Sequence, residues 1–288
     1  MGEKVAFLCL GTMGYPMAGH LAARGHEVIV YNRTAARAER WVEEHGGRRA
    51  ATPAAAARGA SFVFVCTGDD DDLRAVAGGP QGALAGMEAG AVLVDHSTVS
   101  AGVIRELAAR AAEGAVAWLD APVSGGQAGA EQGALAVMVG GDEAAFARAR
   151  PLLEAYARAV TWMGPSGAGQ LTKLVNQICL AGLIQALAEG LRFAVRAGLD
   201  AGRVVDVISQ GAAQSWQMDH RARSMLEGRF DFGFAVDWMR KDLRIALEEA
   251  ARNGAELPVT ALVDRLYAEL QSRGHGRWDT SSLIALLE

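Results

Sequence analysis

The sequence predicts a doubly wound α/β domain followed by an all-helical domain, and three observations carry that prediction. Up to about residue 163, short apolar runs alternate with helical patterns, as in a parallel sheet wrapped by helices. After Gly164-Pro165-Ser166-Gly167-Ala168-Gly169 the strand signals stop. An almost unbroken helical pattern then runs to about Arg196, with Gly198 as its stop.

The expected strands are 5–10, 28–31, 61–66, 91–95, 115–120, 135–139 and 160–163, each a short apolar run in a setting of turn residues. Good helix formers with helical spacing of apolar residues fill 16–23, 35–44, 101–113 and 143–156 between them. Residues 1–165 therefore read as the α/β domain and 166–288 as the helical one. The helix over about 168–196 would be roughly 40 Å long at 1.5 Å per residue, more than one small domain needs. It is expected to join the domains and form the spine of the second. Helices are also expected at 201–210, 217–227, 236–252 and 258–273.

Composition narrows the function classes. A chain of 288 residues that is 51% hydrophobic can bury two cores, and two domains invite a cleft. A formal charge of -5 and the lack of a basic run argue against nucleic acid as a partner. Met1-Gly2-Glu3-Lys4 enters a strand directly, without the pattern of a cleaved leader. Lys173, Asn176, Gln177, Gln185, Glu189 and Arg192 make the apolar stretch 171–195 too polar for a lipid-exposed span, so it reads as a buried helix. The three cysteines, Cys9, Cys66 and Cys179, have no metal-like spacing, and their odd number argues against a disulfide framework. The expected compartment is the cytoplasm, with no membrane partner and no metal. Asp69–Asp72 reads as an acidic helix start, and Trp216 and Trp238 are expected in the core.

The first strand runs into Cys9-Leu10-Gly11-Thr12-Met13-Gly14 and then a helix, which is where a dinucleotide-binding turn of a Rossmann-like domain belongs. Gly11 and Gly14 fit the second and third glycines of that turn, and Cys9 replaces the first. Thr12 and Met13 lie between them, where backbone N–H groups would face a pyrophosphate. The second strand ends at Tyr31-Asn32-Arg33-Thr34, with no carboxylate to accept from ribose hydroxyls. Arg33 can instead pair with a 2′-phosphate, with Asn32 and Thr34 as hydrogen-bond donors, so NADP(H) is favoured and NAD(H) remains possible.

Two further groups carry chemistry. Asp120-Ala121-Pro122-Val123-Ser124-Gly125-Gly126 leaves a strand end, where the Ser124 hydroxyl and the N–H groups of Gly125 and Gly126 would cradle a carboxylate. Lys173 and Asn176 stand three apart on one helix face. A lysine in so apolar a helix is costly to bury; one facing a cleft is tuned towards acid–base work, and the alternative is a lysine that snorkels to solvent or sits in a salt bridge.

Gly11–Gly14, Asp120–Gly126, Gly164–Gly169 with Lys173 and Asn176, and Lys241-Asp242 together resemble the β-hydroxyacid dehydrogenase family over nearly the whole chain. That family includes 3-hydroxyisobutyrate dehydrogenases and tartronate, glyoxylate and succinic semialdehyde reductases. The resemblance implies homodimers or homotetramers and hydride transfer between a small hydroxyacid and its semialdehyde. It assigns Lys173 as general acid in reduction and base in reverse, and Asn176 as the residue holding substrate or lysine in register. It implies that Ser124, Gly125 and Gly126 bind the substrate carboxylate, and that Thr98 in Asp95-His96-Ser97-Thr98 meets substrate or cofactor. It places Phe234 and Asp242 with the substrate, Asp242 near Lys173 or its neighbours, and Lys241, Cys66 and Thr67 with the cofactor. Three positions depart from the family pattern: Cys9, Cys66-Thr67-Gly68 where a Leu-Pro pair is common, and Ala101 in place of a common proline. Imine reductases share the scaffold but typically lack the lysine, and a non-enzymatic nucleotide-binding module would have no need for it. A 6-phosphogluconate dehydrogenase would need a longer helical domain.

Overall fold

The strands are short runs in which nearly every residue is apolar, because both faces of the sheet are covered. In a computed structural model describing residues 2–287, they are Lys4–Leu8 (β1), Glu27–Tyr31 (β2), Arg48–Arg49 (β3), Phe62–Val65 (β4), Val92–Asp95 (β5), Ala117–Asp120 (β6), Val123–Ser124 (β7), Leu135–Gly141 (β8) and Ala157–Gly164 (β9). They form one sheet in the order β3-β2-β1-β4-β5-β6-β8-β7, with β9 beside β8. Alternate residues feed two cores: Phe7, Phe64 and Val94 on one face, Leu8, Val65 and Leu93 on the other.

The helices of this unit are Gly14–Ala23 (α1), Ala35–His45 (α2), Pro53–Ala57 (α3), Asp70–Leu73 (α4), Ala101–Glu113 (α5), Gly126–Glu131 (α6) and Glu143–Leu153 (α7). Long crossovers keep β3, β2, β1, β4, β5 and β6 parallel. The expectation of a parallel sheet fails beyond β6, since β8 runs antiparallel to both β6 and β7. The cause is α6: six residues, about 9 Å at 1.5 Å per residue, cannot carry the chain back to the other end of the sheet. The two-residue strands β3 and β7 and the short helices α3 and α6 were not expected, α4 begins at the expected acidic helix start, and α7 stops at Leu153 rather than 156.

Two compact units divide the chain, one ending at Lys173 and one beginning at Leu174. The helix Ala168–Arg196 (α8) carries the chain from one to the other, and Gly198, with φ of +74°, follows it in the left-handed conformation. The second unit contains Ala201–Ile208 (α9), Trp216–Leu226 (α10), Val236–Asn253 (α11), Pro258–Ser272 (α12) and a closing 3₁₀ segment, Thr280–Leu286. Ile184, Leu191, Met239, Leu243, Tyr267 and Leu283 form its core.

Two expectations need correction here. The stretch 171–195 is buried on one face only, and Val175, Cys179, Leu183 and Phe193 are exposed. By length and composition α8 is apolar enough to cross a membrane, while Ala181, Ile184, Ala188 and Leu191 are packed in the core of the second unit. Trp216 and Trp238 are 44% and 38% exposed rather than buried. The indole of Trp216 stacks on His220 and under the Arg221 guanidinium, and Lys241 Nζ lies over Trp238.

Candidate active site

In a sheet ordered 3-2-1-4-5-6 the crossovers diverge between β1 and β4, leaving a crevice at the carboxyl ends of those strands. The turn after β1 opens there. Cys9 adopts φ of +71°, a conformation that favours glycine, and its N–H donates to the Tyr31 carbonyl at 2.8 Å. Burial above all, helped by the Asp72 and Asp95 carboxylates, pushes its thiol up to about 12, so it stays protonated at neutral pH. Leu10 N–H donates to Asn32 Oδ1 at 2.9 Å, and Asn32 Nδ2 donates to the Thr34 carbonyl at 3.0 Å. Asn32 thus ties the turns after β1 and β2 together through its carboxamide.

The two motif glycines have different physical reasons. A Cβ on Gly14 would lie 2.2 Å from the Cys9 carbonyl oxygen, so α1 can start this close to β1 only with glycine. A Cβ on Gly11 would meet nothing within 4 Å of protein, which leaves a cradle open over the helix start. No side chain caps α1, so its leading N–H groups remain available to an anion. The turn therefore fits a dinucleotide pyrophosphate. Gly14→Ala is expected to lower stability by at least about 2 kcal/mol, whereas Gly11→Ala is expected to leave melting unchanged and weaken cofactor binding about tenfold or more. Thermal melting beside cofactor fluorescence titration checks both; equal melting losses in the two variants would contradict the assignment.

Arg33 is exposed at the entrance of α2, and its guanidinium reaches Asp72 at 3.5 Å. Thr34 precedes α2 without capping it through its hydroxyl. Asp69 does cap the acidic helix start, through Asp72 N–H at 2.9 Å, while Asp70 accepts from Ser100 N–H and Oγ.

The loops after β4 and β5 are bonded to each other. Thr67 N–H donates to Ser97 Oγ at 2.8 Å, and the two hydroxyls lie 2.9 Å apart. Cys66 N–H continues the ladder to the Leu8 carbonyl, and Thr98 is half-buried beside Ser97. His96 is buried, its Nδ1 2.6 Å from the Ala121 carbonyl and its Nε2 2.8 Å from the Tyr156 hydroxyl. Burial holds this imidazole down at about 4, so it is neutral.

After β6 the turn bearing Ser124 is open: Gly125 and Gly126 are exposed, with φ of +134° and +61°. Asp120 does not join it. The buried Asp120 carboxylate accepts Gly167 N–H at 2.7 Å and Gln170 N–H at 2.9 Å and so caps α8 from a distant strand. A Cβ on Gly169 would lie 2.5 Å from the carbonyl oxygens of both Asp120 and Met138, so the helix start is seated directly on the sheet edge. One turn further along α8, Lys173 is 8% exposed.

Burial pushes the Asp120 carboxyl up to about 6 against the pull of the N–H groups it accepts. Its folded value lies above the ordinary 3.8, so the folded state holds the extra proton between these values and stability falls as pH rises across them. His96 acts in the opposite sense: its depressed value makes stability fall as pH drops from 6.5 towards 4. Wild-type stability should therefore vary little there, because the two effects oppose. In Asp120→Asn only the His96 effect remains. The stability of wild type relative to this variant is expected to decline by about 2 kcal/mol between pH 4 and 6. Parallel thermal melts measure it, and a difference independent of pH would contradict it.

In the second unit, Asn176 Nδ2 donates to Gln177 Oε1 at 2.9 Å, and Gln177 Nε2 donates to Asp242 Oδ2 at 2.7 Å. Asp242 Oδ1 lies 3.2 Å from Lys241 Nζ. A continuous polar chain thus runs Asn176-Gln177-Asp242-Lys241, with Gln177 and Asp242 both 1% exposed. Phe234 is set by its N–H, which donates to buried Asp279 Oδ2 at 2.9 Å. The sequence reading missed Gln177 and Gln170. The available signal was a run of uncharged polar residues at 170, 177 and 185 on an apolar helix, each of which is buried.

Residues 4–164 match the family model for the NAD binding domain of 6-phosphogluconate dehydrogenase. Residues 167–287 match the one for the NAD-binding region of NADP-dependent 3-hydroxyisobutyrate dehydrogenase. An uncharacterized oxidoreductase of Shewanella frigidimarina is 61% identical over 99% of this chain and 98% of its own length. The 2-hydroxy-3-oxopropionate reductase of Escherichia coli is 34% identical over 99% of this chain and 97% of its own. The structure of a Mycobacterium tuberculosis 3-hydroxyisobutyrate dehydrogenase with L-serine superposes with a TM-score of 0.89, at 32% identity and with full coverage of both chains.

Proposed function

From the premise that this chain belongs to the β-hydroxyacid dehydrogenase family of NAD(P)-dependent oxidoreductases acting on small hydroxyacids or semialdehydes, we propose that it reduces a carboxylate-bearing semialdehyde with NADPH, Lys173 giving the proton. The observation that carries this reading is a lysine only 8% exposed, one turn into a helix whose start is capped and seated on the sheet edge. When bound, the nicotinamide supplies the hydride to the carbonyl carbon. Lys173 donates its ammonium proton to the carbonyl oxygen, so the alkoxide charge is neutralised as it forms; in reverse the neutral amine takes the proton from the hydroxyl.

The chain's other groups bind and orient. The Ser124 hydroxyl and the N–H groups of Gly125 and Gly126 hold the substrate carboxylate, with Thr98, Phe234 and Asp242 as further substrate contacts. Asn176 holds substrate or lysine in register through the amide chain to Gln177 and Asp242. Gly11, Thr12, Met13 and Gly14 take the pyrophosphate, and Cys66, Thr67, Thr98 and Lys241 the remainder of the cofactor. Arg33 with Asn32 and Thr34 takes the 2′-phosphate, which gives NADP(H) the preference over NAD(H). L-Serine, present in the mycobacterial structure, is itself a 3-hydroxy carboxylate and supports this substrate class.

We place the reaction in the cytoplasm, where three unpaired cysteines, Cys9, Cys66 and Cys179, stay reduced; recovery in a membrane pellet would contradict that. The exposed apolar stripe of Val175, Cys179 and Leu183, three positions four apart on α8, supports a homodimer or homotetramer; a monomer in sedimentation velocity would contradict it. The reaction is tested by following NADPH oxidation with small aldehyde acids and with aldehydes of the same length lacking the carboxylate. Turnover confined to the acids supports the reading, and turnover of uncharged aldehydes alone overturns it.

A further inference from the structure

We infer that Gln170 is a positioning residue for the reaction: its carboxamide locks the first turn of α8, and with it Lys173, to the segment 97–99. Gln170 is fully buried. Its Oε1 accepts Val99 N–H at 3.1 Å and its Nε2 donates to the Ser97 carbonyl at 2.7 Å. Its own N–H donates to Asp120 at 2.9 Å. One residue therefore joins the start of α8 to the chain leaving β5 and to the end of β6. Lys173 lies three positions further on, on the same helix face.

The donor and acceptor of a carboxamide match these two backbone groups in one orientation only. Each is a buried peptide group that would otherwise lack this partner, so the lock has a defined register rather than a sliding contact. The segment it holds also contains Ser97, which bonds Thr67 from the next loop, so a shift of this turn would move the loops after β4 and β5 together. The inference rests on the proposed role of Lys173, since the lock matters to catalysis through the group that the turn carries.

The test uses Gln170→Leu, which has neither hydrogen bond, and Gln170→Glu, which depends on pH. A protonated glutamic acid has one donor and one acceptor in place of those of the carboxamide, whereas its carboxylate presents a second acceptor to the Ser97 carbonyl. Gln170→Leu is expected to lower kcat about 10- to 100-fold while NADPH affinity by fluorescence changes less than threefold. The deuterium isotope effect with 4-deuterated NADPH should rise as hydride transfer becomes limiting. Gln170→Glu should recover kcat relative to wild type as pH falls, a limb absent from wild type, and this variant keeps the test open if the leucine variant does not fold. Values of kcat and isotope effect within twofold of wild type in both variants, with only the melting temperature reduced, would overturn the inference. Lys173→Met assayed alongside separates the two failures. If that variant keeps its activity, the proton-donor reading fails and the Gln170 lock to Lys173 fails with it; if it is inactive while both Gln170 variants are normal, only the lock is wrong.

Discussion

Lys173→Met is expected to lower kcat for semialdehyde reduction by about three orders of magnitude while the protein still folds and binds NADPH. Methionine keeps an unbranched side chain of similar length at a position that is 8% exposed, so the substitution removes the ammonium without opening a large gap. Without it, no side chain in this reading delivers a proton as negative charge builds on the carbonyl oxygen. A group acting only in the transition state lowers kcat and kcat/KM together, whereas a group that merely binds substrate raises KM. Lys173→Arg should fail nearly as badly, because a guanidinium keeps its charge but is too weak an acid to give up its proton. Single-turnover measurements at saturating substrate check both variants. A Lys173→Met enzyme within tenfold of wild type would remove the lysine from the mechanism.

Arg33→Ala carries the second large effect: kcat/KM for NADPH should fall about 10- to 100-fold while that for NADH stays within about threefold. The guanidinium is exposed beside the open start of α2, and a charge-assisted contact to a 2′-phosphate would contribute mainly for the phosphorylated cofactor. Asp72 lies 3.5 Å from this guanidinium and would repel the phosphate. Asp72→Asn should accordingly favour NADPH by a small factor, opposite in sign to Arg33→Ala, and rising salt should shrink both effects because the pair is exposed. Equal losses with both cofactors in Arg33→Ala would show that the arginine supports the loop rather than selecting the nucleotide.

The features read correctly from sequence are those with a local cause. Apolar runs become buried strands because both faces of the sheet are covered, and Ala101–Glu113 forms a helix over the span its composition predicts, with Ser100 capping Val103 N–H. The long helix is equally visible, bounded by glycine before and after. What the sequence hides depends on tertiary partners. Two residues make β7, which no periodicity can announce, and β8 reverses direction because the intervening helix is short. Asp120 reads as the first residue of a carboxylate-binding turn, yet its side chain caps a helix nearly fifty residues away, at Gly167. Nothing local to His96 announces its buried position between Ala121 and Tyr156, which arises only when three chain segments meet. Gln170 and Gln177 stand out only as uncharged polar residues on an apolar helix, and their roles emerge once their partners are placed.

The most direct test of hydride transfer to an aldehyde acid is the fate of deuterium from NADPH labelled stereospecifically at C4. Incubated with the aldehyde acid that is turned over, one of the two labelled cofactors should yield a hydroxyacid heavier by one mass unit, with the deuterium on the carbinol carbon. The other should yield unlabelled product. Cofactor that binds but transfers no label to any carboxylate-bearing aldehyde would contradict the assignment of this chain as a semialdehyde reductase.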